Sequence, residues 1–241
     1  MAGKTLDHDS LIALFETLDQ SYGDLSRGEW GWWPAETRFE ILIGAILTQN
    51  TNWSNVEKAI ENLRSRGWLS PAKLLAADEA EVQQAIRPSG YYRLKASRLM
   101  QLCNWFDAAG GFERLDDYET GLLRDRLLAV KGIGPETADD ILCYAFGRPV
   151  FIVDTYTRRL FQRQGFEIDG ASASEVDYET LRSALETQLA YGEGTKLPCY
   201  GQYHALIVVH ANKHCRKQPD CTGCPVLENC HHGQYLYSKS H

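Results

Sequence analysis

Four of the chain's seven cysteines crowd into residues 215–230 as Cys215, Cys221, Cys224 and Cys230, spaced C-x5-C-x2-C-x5-C. Four thiolates on one short loop are a ligand set able to wrap a compact iron–sulfur cubane. Structural zinc sites ordinarily use two C-x2-C pairs held well apart, and only one such pair is present. The cubane therefore fits the spacing best, with zinc or free thiols as alternatives. Cys103 and Cys143 lie in apolar, helix-like surroundings and Cys199 in a Pro/Gly-rich connection. An odd cysteine count in a chain this long does not suit a small secreted disulfide scaffold, so metal ligation in a reducing compartment is expected.

A second chemical cluster begins at residues 130–138, VKGIGPETA, between the apolar run Leu122 to Val130 and the helix-like ADDILCYAF. Gly132 and Gly134 allow a tight turn and a close backbone approach to another surface. Pro135 suits the first position of the next helix, where its missing N–H costs nothing. The free N–H groups and dipole of that helix start would attract a DNA phosphate, although a bare G-x-G turn more often only connects two helices. Downstream, FIVDTYTRR places Asp154 at the end of an apolar run, where Asp154 or Thr155 can cap a helix. Read alone, V-D-T is an N-cap.

The elements that must position these residues are helical. Trp53, Val56, Ile60 and Leu63 form one amphipathic stripe, and Tyr178, Leu181, Leu185 and Leu189 another. Phe39 to Leu47 is apolar on nearly all sides and predicts a core helix. Period-two strand patterns are absent, and turn signals at Ser89-Gly90, Gly110-Gly111 and Gly192 to Gly194 separate the helical runs. The fold class expected is all-α. The shift at Gly147-Arg148-Pro149 marks a boundary between a domain over residues 38–148 and one built from residues 1–37 and 149–241.

A length of 241 residues suffices for one large unit or two modest lobes, and 44% hydrophobic with 24% charged residues is ordinary for a soluble protein. MAGKTLDHDS lacks the apolar core of a signal peptide. The apolar run ILIGAIL (41–47) is far shorter than the ~18 residues of a membrane span. A soluble cytoplasmic protein, without a membrane partner, is expected. The net charge of -7 argues mildly against a nucleic-acid partner. Its distribution offsets this: seven acids oppose Lys4 and Arg27 in residues 1–36, whereas Arg87, Arg93, Lys95 and Arg98 form an acid-free strip. Lys213, Arg216 and Lys217 make a second basic excess.

The stretch KGIGPETADDILCYAFGRPVFIVDTYTRRL resembles the helix-hairpin-helix plus Gly/Pro…Asp (HhH-GPD) signature of the endonuclease III superfamily. LTQNT (47–51), SGYYRLKASRL (89–99), LIVVHANKHC (206–215) and the cysteines have counterparts in the same order, covering about residues 30–230. The resemblance implies a six-helix barrel bearing the hairpin and a cluster lobe contributed by both chain ends. It also implies a monomer that binds damaged double-stranded DNA in the cleft between the lobes, at the nucleoid.

By matched position Asp154 is the family's catalytic aspartate, ionised to stabilise an oxocarbenium-like sugar as the base departs or to orient water. Lyase-active members carry a lysine two residues after the second hairpin glycine. That position is Glu136 here, and a carboxylate cannot form the imine. The resemblance further implies DNA contacts from Lys131, Gly132, Ile133, Gly134 and Lys213, a plug from Gln49 that fills the vacated space, and a wedge from Tyr91 or Tyr92. It implies a [4Fe–4S] cluster on the four cysteines, whose first gap is one residue shorter here.

GWWPAET (31–37) is similar to a branch of endonuclease III-like 3-methyladenine DNA glycosylases whose aromatic residues stack around the flipped base. The matching residues are Trp32, Trp33, Pro34 and Trp53, with Glu136 at the pocket; core anchoring is the plainer role for the tryptophans. A cationic alkylated purine would be attracted to such rings. The best-known type of that branch lacks the cysteines, so this chain combines features of two branches. The expectation is a monofunctional glycosylase for alkylated purines. The alternatives are a glycosylase for deaminated, oxidised or otherwise modified bases, with or without lyase action, and a non-catalytic iron–sulfur DNA-binding protein.

Overall fold

The computed structural model describes residues 3–190 and 199–240. The turn expected at Gly192 to Gly194 lies outside the described residues. In chain order the helices are α1 (His8–Tyr22), α2 (Arg38–Leu47), α3 (Trp53–Ser65), α4 (Pro71–Ala76), α5 (Glu79–Ala85), α6 (Tyr92–Ala108) and α7 (Gly111–Leu115). They continue as α8 (Thr120–Leu128), α9 (Pro135–Asp140), α10 (Thr155–Gln164), α11 (Tyr178–Ala190), α12 (Tyr200–Lys213) and α13 (His231–Ser240). None of the described helices is long and apolar enough to cross a membrane.

The chain divides into two units, Trp33–Arg148 and the pair Met1–Trp32 with Pro149–His241. In the first, α2 has Phe39 through Leu47 buried on every side and packs against α3, α6 and α9. Thr37 caps it by accepting the Glu40 N–H on Oγ1 at 3.2 Å. The stripes on α3 and α6 close around it, with Val56, Ile60, Leu63, Leu99 and Leu102 buried. Each such side chain contributes roughly 1.5–3 kcal/mol on burial. A turn of π-helix, Ile141–Ala145, follows α9.

The second unit packs α1, α10, α11 and α12 around Leu11, Leu18, Phe151, Phe161, Leu185, Tyr203 and Leu206. It is mostly helical, in line with the all-α expectation, with one small sheet besides. Three short strands, β1 (Lys4–Thr5), β2 (Phe166–Ile168) and β3 (Ala171–Ser172), form a sheet in the order β1-β2-β3. β1 runs parallel to β2, and β3 runs antiparallel to it. Strands this short cannot display a period-two pattern. The signal available was Asp169-Gly170, both at positive φ (50° and 82°), the residue pair that suits a two-residue hairpin turn.

Candidate active site and cysteine loop

Asp154 ends the buried run Val150–Val153 and is the N-cap of α10. Its Oδ1 accepts the Thr157 N–H at 2.7 Å. Its Oδ2 stands 3.5 Å from Nε2 of His204 on α12, with the two side chains only 13% and 7% exposed. Burial works against the charge, but the His204 and Thr157 interactions prevail and hold the carboxyl below the usual aspartate range. Capping and charge stabilisation thus occupy separate oxygens, so the capping role of Asp154 leaves a carboxylate oxygen for chemistry. The Trp32 ring meets His204 edge-on at 6.3 Å and 86°.

α10 also holds the cysteine loop. Arg159 Nε donates to the Cys215 carbonyl at 2.7 Å. Arg163 donates to Cys215 Sγ at 3.2 Å and to the carbonyls of Arg216 and Lys217 at 2.6 and 2.9 Å. These bonds fix the backbone that presents Arg216 and Lys217, both exposed, as is Lys213. Lys213 Nζ lies 4.7 Å over the Tyr22 ring. Cys215 and Cys230 are buried, and Cys221 and Cys224 are partly so. Burial raises the thiols of Cys221, Cys224 and Cys230, and the cysteines raise one another's further. Four neighbouring thiolates resist coexisting unless a cationic centre joins them. Among the described residues no three His, Cys, Asp or Glu side chains are gathered as around a single metal ion. A cubane seats each thiolate on a separate iron and asks for a wider set. The Gly233 N–H, 3.4 Å from Cys230 Sγ, and Arg163 on Cys215 are donors suited to sulfur ligands.

In the Trp33–Arg148 unit the hairpin lies between α8 and α9. Gly132 takes φ 96°, and a Cβ there would come within 2.4 Å of Arg98 Cγ, so glycine is required twice over. Ile133 is buried, whereas Lys131, Gly134 and Glu136 are exposed. Gln49 is tied to this hairpin: its Nε2 donates to the Gly132 carbonyl at 3.1 Å and to Thr137 Oγ1 at 2.9 Å. Arg98 donates to Gln49 Oε1. Tyr91 is 68% exposed with φ 46°, and Tyr92 lies partly buried beside Arg87 and Arg93.

The tryptophans separate. Trp33 is 6% exposed, and its ring lies so near Gly44 that a Cβ there would stand 2.9 Å from it. It meets Trp53 at 5.4 Å and Tyr144, in the π turn, at 5.2 Å. Trp53 is partly exposed and donates from Nε1 to Glu57 at 2.9 Å, while Pro34 is exposed. Trp32 ends the other unit.

Sequence reasoning passed over His204, and it took Arg98 and Lys95 only as members of a basic strip. Lys95 is 1% exposed and donates from Nζ to the carbonyls of Leu47 at 2.8 Å and Ser89 at 2.7 Å. It lies on the stripe Lys95, Leu99, Leu102, Phe106 of α6, all buried. A lysine on an apolar stripe was a usable signal. His204 is likewise in step with Ile207 and Ala211 on the buried side of α12.

The HhH-GPD superfamily of base excision DNA repair proteins matches residues 43–184. The chain belongs to this superfamily and is a DNA glycosylase. A Methanocaldococcus jannaschii protein provisionally named a DNA repair glycosylase is 44% identical over 206 residues, 84% of this chain and 90% of that protein. The structure of the H. pylori 3-methyladenine DNA glycosylase MagIII bound to 1,N6-ethenoadenine is similar with a TM-score of 0.68 at 32% identity, across 86% of this chain and 98% of that one. A trapped endonuclease III–DNA covalent intermediate gives a TM-score of 0.76 at 25% identity, across 97% of this chain and 100% of that one.

Proposed function

We propose that the chain is a monofunctional glycosylase that flips an alkylated purine, such as 3-methyladenine, from duplex DNA and hydrolyses its N-glycosidic bond. The observation that carries this reading is Asp154, a carboxylate held ionised in a largely water-excluded position with one oxygen not used by the helix cap. As the bond from C1′ to the base breaks, positive charge develops on the sugar, and a fixed carboxylate stabilises it. An N3-alkylated purine already carries positive charge, so it leaves as a neutral base without an added proton. Water then adds at C1′ and gives up a proton, leaving an abasic site.

Glu136, exposed in the first turn of α9, supports base release without strand nicking. The chain should give no borohydride-trapped adduct, and Glu136→Lys should gain one. The likeness to MagIII and the Trp33–Trp53–Tyr144 aromatic group support an alkylated purine. In this reading Trp53 and Pro34 face the extruded base, and Trp33 backs it. Lys131, Gly132, Ile133, Gly134 and Lys213 contact phosphates, Gln49 fills the gap and Tyr91 or Tyr92 wedges the opposite strand. Mass spectrometry of bases released from alkylated, oxidised and deaminated duplexes tests it. Release of 3-methyladenine is expected, and release only from the other duplexes would move the substrate to another lesion.

The same reading places a [4Fe–4S] cluster on Cys215, Cys221, Cys224 and Cys230. When bound it would tie the loop together and fix Arg216 and Lys217 beside Lys213, giving order to a DNA-contacting surface. Chemical analysis of purified protein should find iron and acid-labile sulfide, lost together in Cys224→Ser. Colourless protein containing zinc would reject the cluster.

A further inference from the structure

We propose that His204 is a positioning residue for the Asp154 reaction: from α12 its Nε2 faces and holds the Oδ2 oxygen, while the α10 cap fixes Oδ1. The proposal rests on the catalytic reading of Asp154 given above. His204 is 5% exposed, with the carboxylate 3.5 Å from its Nε2 and the Trp32 ring edge-on to its own at 6.3 Å. An imidazole seated there is largely shielded from water.

Other charges near the carboxylate are committed elsewhere. On α10, Arg158 donates to the carbonyls of Ala173 and Val176 and Arg159 to that of Cys215. On α11, Glu186 takes the Phe151 N–H and pairs with Arg182. Among the described residues His204 is the ionisable side chain that lowers the Asp154 carboxyl, and α10 adds the Thr157 interaction. Without the histidine, burial would dominate and the carboxyl would bind its proton at higher pH. A protonated Asp154 cannot stabilise a sugar cation. His204 therefore sets the acid side of the pH range over which the aspartate acts.

The test combines two readouts on the full chain: a 13C titration of aspartate side chains, with Asp154→Asn identifying the resonance, and single-turnover base release against pH. In His204→Leu the Asp154 midpoint should rise by about one pH unit or more, and the acid limb of base release should move with it. Release at moderately acidic pH should fall ~10-fold or more. His204→Gln, which can still donate a hydrogen bond, should show a smaller rise and recover most of the rate. Should His204→Leu fail to fold, the rise in His204→Gln carries the test. A midpoint unchanged from the wild type in a folded variant overturns the proposal. Wild-type protein that releases no base from any lesion would instead reject the catalytic reading of Asp154, and the midpoint would still judge its coupling to His204.

Discussion

The two units treat a buried charge differently. In the Trp33–Arg148 unit the Lys95 ammonium bonds the carbonyls of Leu47 and Ser89, which end α2 and the short turn Arg87–Ser89. Both are backbone groups at helix C-termini, and the charge that acts on it is the like charge of Arg98. In the other unit Asp154 gives one oxygen to backbone and keeps the other beside a titratable side chain. The first arrangement fixes chain path: it joins the segments leading into Gln49 and Tyr91. The second fixes a charge and leaves it able to act. Burial of an ionisable group alone therefore does not mark a catalytic residue; what its atoms are committed to does.

The largest expected effect tests the second arrangement. Asp154→Asn should lower base release by about 100-fold or more, the order seen when a charge-stabilising group is lost from a transition state. Duplex binding should stay within a few-fold, read by fluorescence anisotropy. Equal losses of binding and release would mean that Asp154 organises the DNA surface and not the chemistry.

Lys95 yields a prediction with the same sign of pH dependence as a salt-bridged carboxylate, moved to alkaline pH. Burial first, and Arg98 second, lower its pKa from 10.5 to about 8 in the folded protein. Between these values the unfolded chain binds a proton that the folded chain has released, so stability rises with pH through that window. The gain totals ~3 kcal/mol at ~1.4 kcal/mol per pH unit. Urea unfolding at pH 7 and pH 10.5 should show wild type gaining stability relative to Lys95→Met by about that amount. A constant difference between the two proteins would mean that the carbonyls hold the ammonium charged throughout.

A smaller effect concerns Gln49, whose side-chain amide is bound at both ends in the free protein. Filling a gap in DNA requires it to leave these partners. A double-mutant cycle of Gln49→Ala and Arg98→Ala should give a stability coupling of about 1.5 kcal/mol, as for a hydrogen bond with one charged partner. Additive effects would indicate that the latch is weak and that Gln49 is free to move.

Much of this was legible in the residues themselves. The stripes on α3 and α11 predict the buried Val56, Ile60, Leu63 and Leu181, Leu185, Leu189. The cap at Asp154 follows from V-D-T, and the turn at Gly132 from G-x-G. What spacing could not carry were contacts across long separations. His204 meets Asp154 fifty positions earlier in the chain, and Lys95 meets Leu47 across 48. Such pairs depend on helix packing, to which a single sequence gives no direct access. The small sheet escaped because its pairing joins Lys4 to Phe166, and only the Asp169-Gly170 turn is local.

The smallest expected effect separates the two roles of Asp154 within one side chain. Asparagine caps a helix about as well as aspartate, whereas alanine forfeits roughly 1 kcal/mol. Asp154→Asn should therefore keep the Thr157 N–H satisfied, and Asp154→Ala should melt about 2–4 °C below it, the shift that ~1 kcal/mol produces in a protein of this size. Base release should be equally poor in both, because neither carries the charge. Should the alanine variant match asparagine in melting temperature, α10 would owe its start to the packing of Thr157, Leu160 and Phe161, and the carboxylate would be held for its charge alone. If instead asparagine retains activity, the cap is what the reaction needs from this residue, and the contrast drawn between the two units fails at its centre.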